Sequence, residues 1–404
     1  MNTFEKLTAP LNSFFTEQGN QIDQESRSKS LFFSDFTLKM IYAIVMQVGS
    51  LRMLITELDT SQNSIKLNFK PSAYSTFRDG FNRFAVKHFR QMFFYVLKSY
   101  DWMRLAAIDE AGIIKLVDGS LFPTLTSMCW ATYKKSKNAL RLHLEMDLNT
   151  MIPTEFLVQK ANSSERSFLL SILKESYTYI ADRGYFSFKV GNAITKANAF
   201  FVIRIKANLK FTTLADLKLT STQTKVPECF TQISDQLIRF NSDEFEKEYR
   251  LVGFTVLQSQ FLLCTNRFDL STMQIIMLYA YRWQVELMFK FLKRTLNGIH
   301  LFNHSQNGVT IHFYLLMIVA LLKIRIMQIC QRKTRQVVQQ KQHMEDLNDY
   351  FGIKPDEWIN SIAEVFYLHW KIGKHWMARL RNLIQLEFDE YVINKLANMK
   401  RAAH

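Results

Sequence analysis

In the stretch ALRLHLEMDL, residues 139–148, apolar and polar side chains alternate without a break from Leu140 to Leu148. Leu140, Leu142, Leu144 and Met146 fall on one face, and Arg141, His143, Glu145 and Asp147 on the other. A period of two predicts a strand, because apolar residues on a helix must return every three or four positions. IIKLVDGSLF (113–122) before it and IPTEFLVQKA (152–161) after it read as further strands. SERSFLLSILKE then predicts a helix with Ser164 as its N-cap. A strand at YTYIADRGY (177–185), a helix near 187–197 and a strand at AFFVIRIKAN (199–208) come next. The order β-β-β-α-β-α-β predicts an α/β fold, a mixed sheet flanked by helices.

The flanks have a different texture. Residues 1–110 read as helical. Phe77, Phe81 and Phe84 recur at i, i+4 and i+7 as a core stripe, beside a basic stripe of Arg83, Lys87 and Arg90. That basic stripe is either a solvated face or a phosphate-contacting one. Residues 209–270 are Thr-rich and broken by turn residues, with strand-like runs such as YRLVGFTVLQ and FLLCTN, and read as a β-rich insertion. From 271 onward the pattern is helical. Its apolar run FYLLMIVALL (313–322) is too short to cross a bilayer and soon meets Lys323 and Arg325, so a buried core helix is expected. The resulting segments are 1–110, 111–208, 209–270, 271–325 and a helical, basic 326–404.

Charge narrows the partners. Lys and Arg number 51 against 36 Asp and Glu, a net +15 that favours a polyanion: nucleic acid or an acidic membrane surface. The four cysteines are far apart with no CxxC pair, which suits neither a disulfide framework nor a cysteine zinc site and predicts a reducing compartment. The N-terminus shows no basic segment leading into an apolar run, so a cytoplasmic protein without a membrane partner is expected.

Three acids stand out by context. Asp118 and Asp182 each end an apolar strand, in LVDGS and ADRGY, and Glu286 lies on the helix YAYRWQVELMFKFLK, residues 279–293. An Asp at a strand end is often only a turn former. Two on neighbouring strands, however, can converge on one cation. At about 100° per residue, Tyr279, Arg282, Glu286 and Lys293 fall within an arc of roughly 60°, with Trp283 and Lys290 beside it. The plain alternative is an exposed face with an Arg–Glu i,i+4 pair. Cations mixed with aromatic rings suit nucleic acid better, supplying charge for phosphates and flat faces for bases. Three carboxylates offer hard oxygen ligands for Mg²⁺ or Mn²⁺, and a two-ion site would activate an attacking hydroxyl and stabilise the leaving oxygen at one phosphorus.

Tyr279-x2-Arg282-x3-Glu286-x6-Lys293 resembles the YREK signature of DDE transposases from bacterial insertion sequences, of the insertion-sequence-4 family. LVDGS and ADRGY resemble the blocks that hold that family's two aspartates. TNRFDLST before the signature helix, NGVTIHFYLLMIVALL after it, and SLRML and AYSTFRDGFNRF near the N-terminus agree with it too. The resemblance implies an RNase H-like catalytic core with a β-rich insertion between the second Asp and the Glu. It implies Asp118, Asp182 and Glu286 as catalytic, metal-binding carboxylates holding two divalent ions. It implies DNA contacts by Tyr279, Arg282 and Lys293, with Trp283, Lys290, Arg204 and Lys206 as further candidates. The implied partners are double-stranded DNA, as terminal inverted repeats and target, and a second copy of the chain in a homodimer pairing two ends. The implied activity is cut-and-paste transposition at the bacterial nucleoid, often through a hairpin at the cleaved end.

One departure concerns base flipping. Some members hold a flipped base with a Trp in the insertion, but none lies in 209–270 here, which leaves Phe211, Phe230 or Phe254 for that role if it exists. Two other functions remain open: a metal-dependent nuclease of the same fold without strand transfer, and a non-catalytic DNA-binding derivative. The intact Asp118, Asp182 and Glu286 count against the second. His304, His312, Trp358, Trp370 and Trp376 read as packing residues.

Overall fold

The computed structural model describes residues 3–60, 69–104, 106–124, 128–134, 137–217, 231–256 and 259–339. Most of the basic C-terminal region, with Trp358, Trp370 and Trp376, lies outside them, as does Phe230. The chain divides into two compact units: residues 1–103, 123–139 and 290–377 in one, and 104–122, 140–289 and 378–404 in the other.

The first unit is mainly helical where described. The long helix Gln306–Gln339 packs against Phe33–Met46, Tyr74–Arg83 and Val86–Lys98. Phe77, Phe81 and Phe84 are fully buried and ring Phe36 at 5.1, 5.1 and 5.3 Å between centroids, so the expected core stripe is real. Of the basic stripe, Lys87 pairs with Glu25 at 2.8 Å, and Lys87 and Arg90 are exposed. The apolar helix is longer than its sequence run suggests. The 24 residues Gln306–Ile329 are long and apolar enough to cross a membrane, but 83 % of the most apolar window is buried, as a core helix would be. His312 is buried there against Phe302 and Phe313, and burial holds its imidazole down at about 3, neutral in ordinary conditions.

The second unit is built on a sheet. The sheet's strands are β1 (Ile113–Thr124), β3 (Lys137–Asp147, after a short β2 at Thr132–Lys134 that belongs to the first unit), β4 (Ile152–Lys160), β5 (Tyr177–Ala181) and β6 (Phe200–Arg204). The insertion adds β7 (Phe211–Asp216), β8 (Thr231–Phe240), β9 (Glu248–Val256) and β10 (Ser259–Thr265). From β3 the order is β3-β1-β5-β6-β10-β9-β8-β7, with β4 also paired to β3. β1, β5 and β6 run parallel, while β3–β4 and every pairing from β6 through β7 are antiparallel. This is the expected mixed α/β sheet, and β7–β10 extend the sheet itself. Helices Glu165–Ser171 and Phe188–Lys196 flank it, capped by Ser164 and Ser187, whose hydroxyls each accept from a backbone N–H at 3.3 Å.

The polar face of β3 corrects the simple reading of its alternation. His143 and Glu145 are 0 % and 3 % exposed, so the middle of that face is shielded from water. β1 and β4 flank the strand, and Phe168 of the helix above stacks on His143 at 5.2 Å. The charges are paired instead: Lys115 Nζ lies 2.9 Å from Asp147 and 3.8 Å from Glu145, and the Thr154 hydroxyl donates to Glu145 at 2.5 Å. Charges taken from water need such partners, since an unpaired one costs several kcal/mol.

A carboxylate cluster at the strand ends

The register of β1 against β5 pairs Val117 with Ala181, so the next positions on the two strands are Asp118 and Asp182. Parallel neighbours thus set two carboxylates side by side: Asp182 directly follows β5 as expected, whereas Asp118 lies mid-strand, because β1 runs on to Thr124 and does not end at the aspartate. The third acid comes from a helix fixed at its start. Ser271 and Gln274 form a capping box, with hydrogen bonds of 3.2 and 2.8 Å, and the Thr272 hydroxyl donates to Asp235 at 2.6 Å. Asp235 also receives two hydrogen bonds, at 2.9 and 2.6 Å, from the buried Arg250 of β9.

That helix runs from Thr272 to Tyr281, breaks at Arg282 and resumes as Trp283–Lys290. Arg282, 2 % exposed, donates to Glu286 Oε1 at 2.8 Å and to Asp118 Oδ2 at 3.3 Å. Tyr279, 1 % exposed, donates its hydroxyl to Asp182 Oδ1 at 3.2 Å. Two signature residues therefore face the carboxylates.

The electrostatics reflect this crowding. Burial, together with the charges of Glu286 and Asp182, pushes Asp118 up to about 6 despite Arg282 and the Gly119 N–H. Burial also raises Asp182, but Arg282, the Arg183 N–H, Arg204 and the Tyr279 hydroxyl outweigh it and hold that carboxyl below its ordinary value. Arg282 stays charged. Burial alone would lower its guanidinium, and Tyr279 with the three carboxylates raises it further than that. Neighbouring Tyr185 is buried, and its phenol is pushed up by that burial and by Asp118 and Glu165.

The remaining candidates lie in varied places. Trp283 is buried at 9 % exposure, and Arg204 is buried at 7 % with its guanidinium 4.5 Å from the Phe261 ring. Lys206 is exposed. Lys290, exposed, and Lys293, half-buried with its ammonium lowered by burial, belong to the helical unit. The steady 100° step does not reach Lys293. Phe291–Thr295 is a π-helical turn, with Leu296 N bonded to Phe291 O at 3.0 Å, and each i→i+5 bond shifts the phase of the residues beyond it. Phe254 is buried and stacked on Phe261 at 5.1 Å, which leaves it no open face for a base; Phe211 is half-buried near Phe240. The reading by residue pattern missed Arg141 and Glu165, which lie against the glycines after the two aspartates. The glycines of LVDGS and ADRGY were the available signal.

Among the described residues, no group of three His, Cys, Asp or Glu side chains is gathered closely enough to hold a metal ion. A guanidinium bridges two of the acids instead. The donor set still suits a hard divalent cation, being all carboxylate.

The family described as "Transposase DDE domain" matches residues 111–322. The chain is 29 % identical over 225 residues to y4zB of Sinorhizobium fredii, a protein named as a transposase; the match covers 54 % of this chain and 62 % of that one. It is 26 % identical over 183 residues to a Geobacillus stearothermophilus protein named as the transposase for insertion sequence element IS5377, covering 45 % of this chain and 47 % of that one. Each match thus spans less than two thirds of the relative's length. Among solved structures, the piggyBac transposase synaptic complex with hairpin DNA aligns with a TM-score of 0.42 and 8 % identity, over 90 % of this chain and 75 % of that one.

Proposed function

Because the chain belongs to the DDE-domain transposase family, we propose that its carboxylate cluster carries out metal-dependent cleavage of DNA at transposon terminal inverted repeats, followed by strand transfer into target DNA. The observation that carries the reading is the convergence of Asp118 and Asp182, adjacent by strand register, with Glu286 through the guanidinium of Arg282. Asp118, Asp182 and Glu286 would hold Mg²⁺ or Mn²⁺, which when bound supplies Lewis-acid activation and charge neutralisation at the scissile phosphorus.

The protein's own residues prepare that chemistry. Tyr279 orients the Asp182 carboxylate by donating to it. Arg282 holds Glu286 and Asp118 in place, and its planar guanidinium suits a phosphate oxygen brought to the site. Lys206, and on the helical unit Lys290 and Lys293, would neutralise backbone phosphates of the DNA. A homodimer pairing two ends, a place at the nucleoid and membership of the insertion-sequence-4 subgroup are parts of the same proposal.

The test mixes full-length protein with terminal-repeat DNA and Mg²⁺. Cleavage should occur at the repeat end and vanish in Asp118→Ala, Asp182→Ala and Glu286→Ala. Cleavage retained by any one variant removes that residue from the site, and cleavage without joining to target reduces the function to a nuclease.

A further inference from the structure

Glycine comes directly after Asp118 and two positions after Asp182. Neither Gly119 nor Gly184 has the left-handed backbone that favours glycine, so conformation alone does not demand it. Space does so only at Gly184. A methyl carbon on Gly119 would make ordinary contact with Glu165 Oε1 at 3.4 Å, whereas one on Gly184 would stand 2.5 Å from Glu165 Oε2 and push that carboxylate aside. One carboxylate therefore lies against both aspartate-bearing segments.

Glu165 is well held for that position. It is the first residue of its helix, where a negative side chain is favoured by the helix dipole. Arg141 of β3 pairs with Glu165 Oε1 through Nη1, and its Nε donates to the Ala161 carbonyl at 2.9 Å. The next helix residue, Arg166, donates to the Gly184 carbonyl at 3.2 Å, and Tyr185 N closes the turn onto Asp182 O at 3.0 Å. The Glu165 side chain is 25 % exposed and that of Arg141 19 %, so the pair is largely shielded from water. With Arg141 cancelling its charge, Glu165 adds bulk beside two crowded aspartates without adding net repulsion.

We propose that Glu165, locked by Arg141, is a positioning residue that sets the separation of the two catalytic aspartates by filling the space beside Gly184 and lying next to Gly119. The inference rests on the reading of Asp118 and Asp182 as metal-binding carboxylates. Glu165 touches neither substrate nor metal in this role.

The test uses full-length Glu165→Ala, Glu165→Gln, Gly184→Ala and the double variant Gly184→Ala/Glu165→Ala. Mn²⁺ affinity is measured by calorimetry, the Mg²⁺ midpoint by cleavage of terminal-repeat DNA, and stability by thermal unfolding. Glu165→Ala should weaken Mn²⁺ binding and raise the Mg²⁺ midpoint by about tenfold or more, the usual effect of removing a group that orients metal ligands. The cleavage rate at saturating Mg²⁺ should fall less. Glu165→Gln, which keeps the bulk, should lie between this variant and the wild type. Gly184→Ala should weaken Mn²⁺ binding by displacing the carboxylate, and the double variant should be no worse than Glu165→Ala alone, because the clash is gone. Wild-type affinity and midpoint in Glu165→Ala, or losses in the double variant that equal the sum of the single ones, would overturn the proposal. If the wild type bound no Mn²⁺ and cut nothing, the metal reading would fail separately. The wedge would then stand or fall on whether Gly184→Ala lowers the unfolding temperature of the wild type but not of Glu165→Ala.

Discussion

Arg282 and Glu286 form an i,i+4 ion pair of 2.8 Å that does not lie on a solvated helix face: the arginine is 2 % exposed and commits its other terminal nitrogen to Asp118, an acid from a distant strand. A surface pair of this spacing contributes a few tenths of a kcal/mol. Here the guanidinium is the cation that permits three acids to share one shielded site.

Arg282→Ala should therefore destabilise the protein more than a surface change would. Breaking a fully buried pair costs about 3–5 kcal/mol, and about half that is expected here because the Asp118 and Glu286 side chains keep 19 % and 30 % of their exposure. Mg²⁺ should raise the unfolding temperature of the variant more than that of the wild type, since a divalent cation replaces the missing charge. An equal or smaller Mg²⁺ shift would contradict this account.

The raised carboxyl of Asp118 gives a pH signature in chelator-treated protein. Its folded value of about 6 exceeds its unfolded value of 3.8, so the native state binds more protons between them. The stabilising contribution is present below about pH 4 and is lost as pH rises through 6. Asp118→Asn should remove this slope and gain up to ~2–3 kcal/mol over the wild type near pH 7, an upper bound from the size of the shift. Denaturant titrations from pH 4 to 7 with parallel slopes for both proteins would refute it.

Tyr279→Phe removes one group that keeps Asp182 ionised. Asp182 should then titrate at higher pH, so the acid limb of the cleavage profile moves upward while its alkaline limb stays. A hydrogen bond to a charged group contributes roughly 1.5–3 kcal/mol, which sets the ceiling on the loss. A pH–rate profile unchanged in shape would show that the hydroxyl does not tune Asp182.

Asp235→Ala tests the anchoring of the signature helix from a distance. Asp235 is 3 % exposed and accepts from both Arg250 and Thr272, so its loss strands a buried guanidinium and frees the helix start. We expect about 3–5 kcal/mol of destabilisation by chemical unfolding. A loss under about 1 kcal/mol would mean that water or another acid already satisfies Arg250.

The sheet was legible because its strands carry strong patterns. The alternation of 139–148 and the Ser164 cap lie where local chemistry places them, while the strand read as ending at Asp118 continues to Thr124. The helix phase of Tyr279, Arg282 and Glu286 was legible for the same reason. What stayed hidden depends on contacts between distant segments. The pairing of Lys115 with Asp147 and of Arg141 with Glu165 turns polar positions into buried ones, and no periodicity reports that. Burial of Tyr279, whose ring lies 6.3 Å from that of Phe261 on β10, likewise comes from the sheet and not from its spacing. The π-helical turn at Phe291–Thr295 carries no local sequence mark, so a regular helix wheel misplaces Lys293.

The pairing of β10 onto β6 also constrains how such a chain can vary over evolutionary time. Leu263 sits opposite Arg204, Cys264 opposite Ile203 and Thr265 opposite Val202, while β6 in turn aligns with β5 just below Asp182. A one-residue deletion near β10 would turn each of its side chains to the opposite face, exposing the buried Cys264 or reorienting its neighbours. Descendants of this sequence are therefore held to strict parity where β10 joins the sheet.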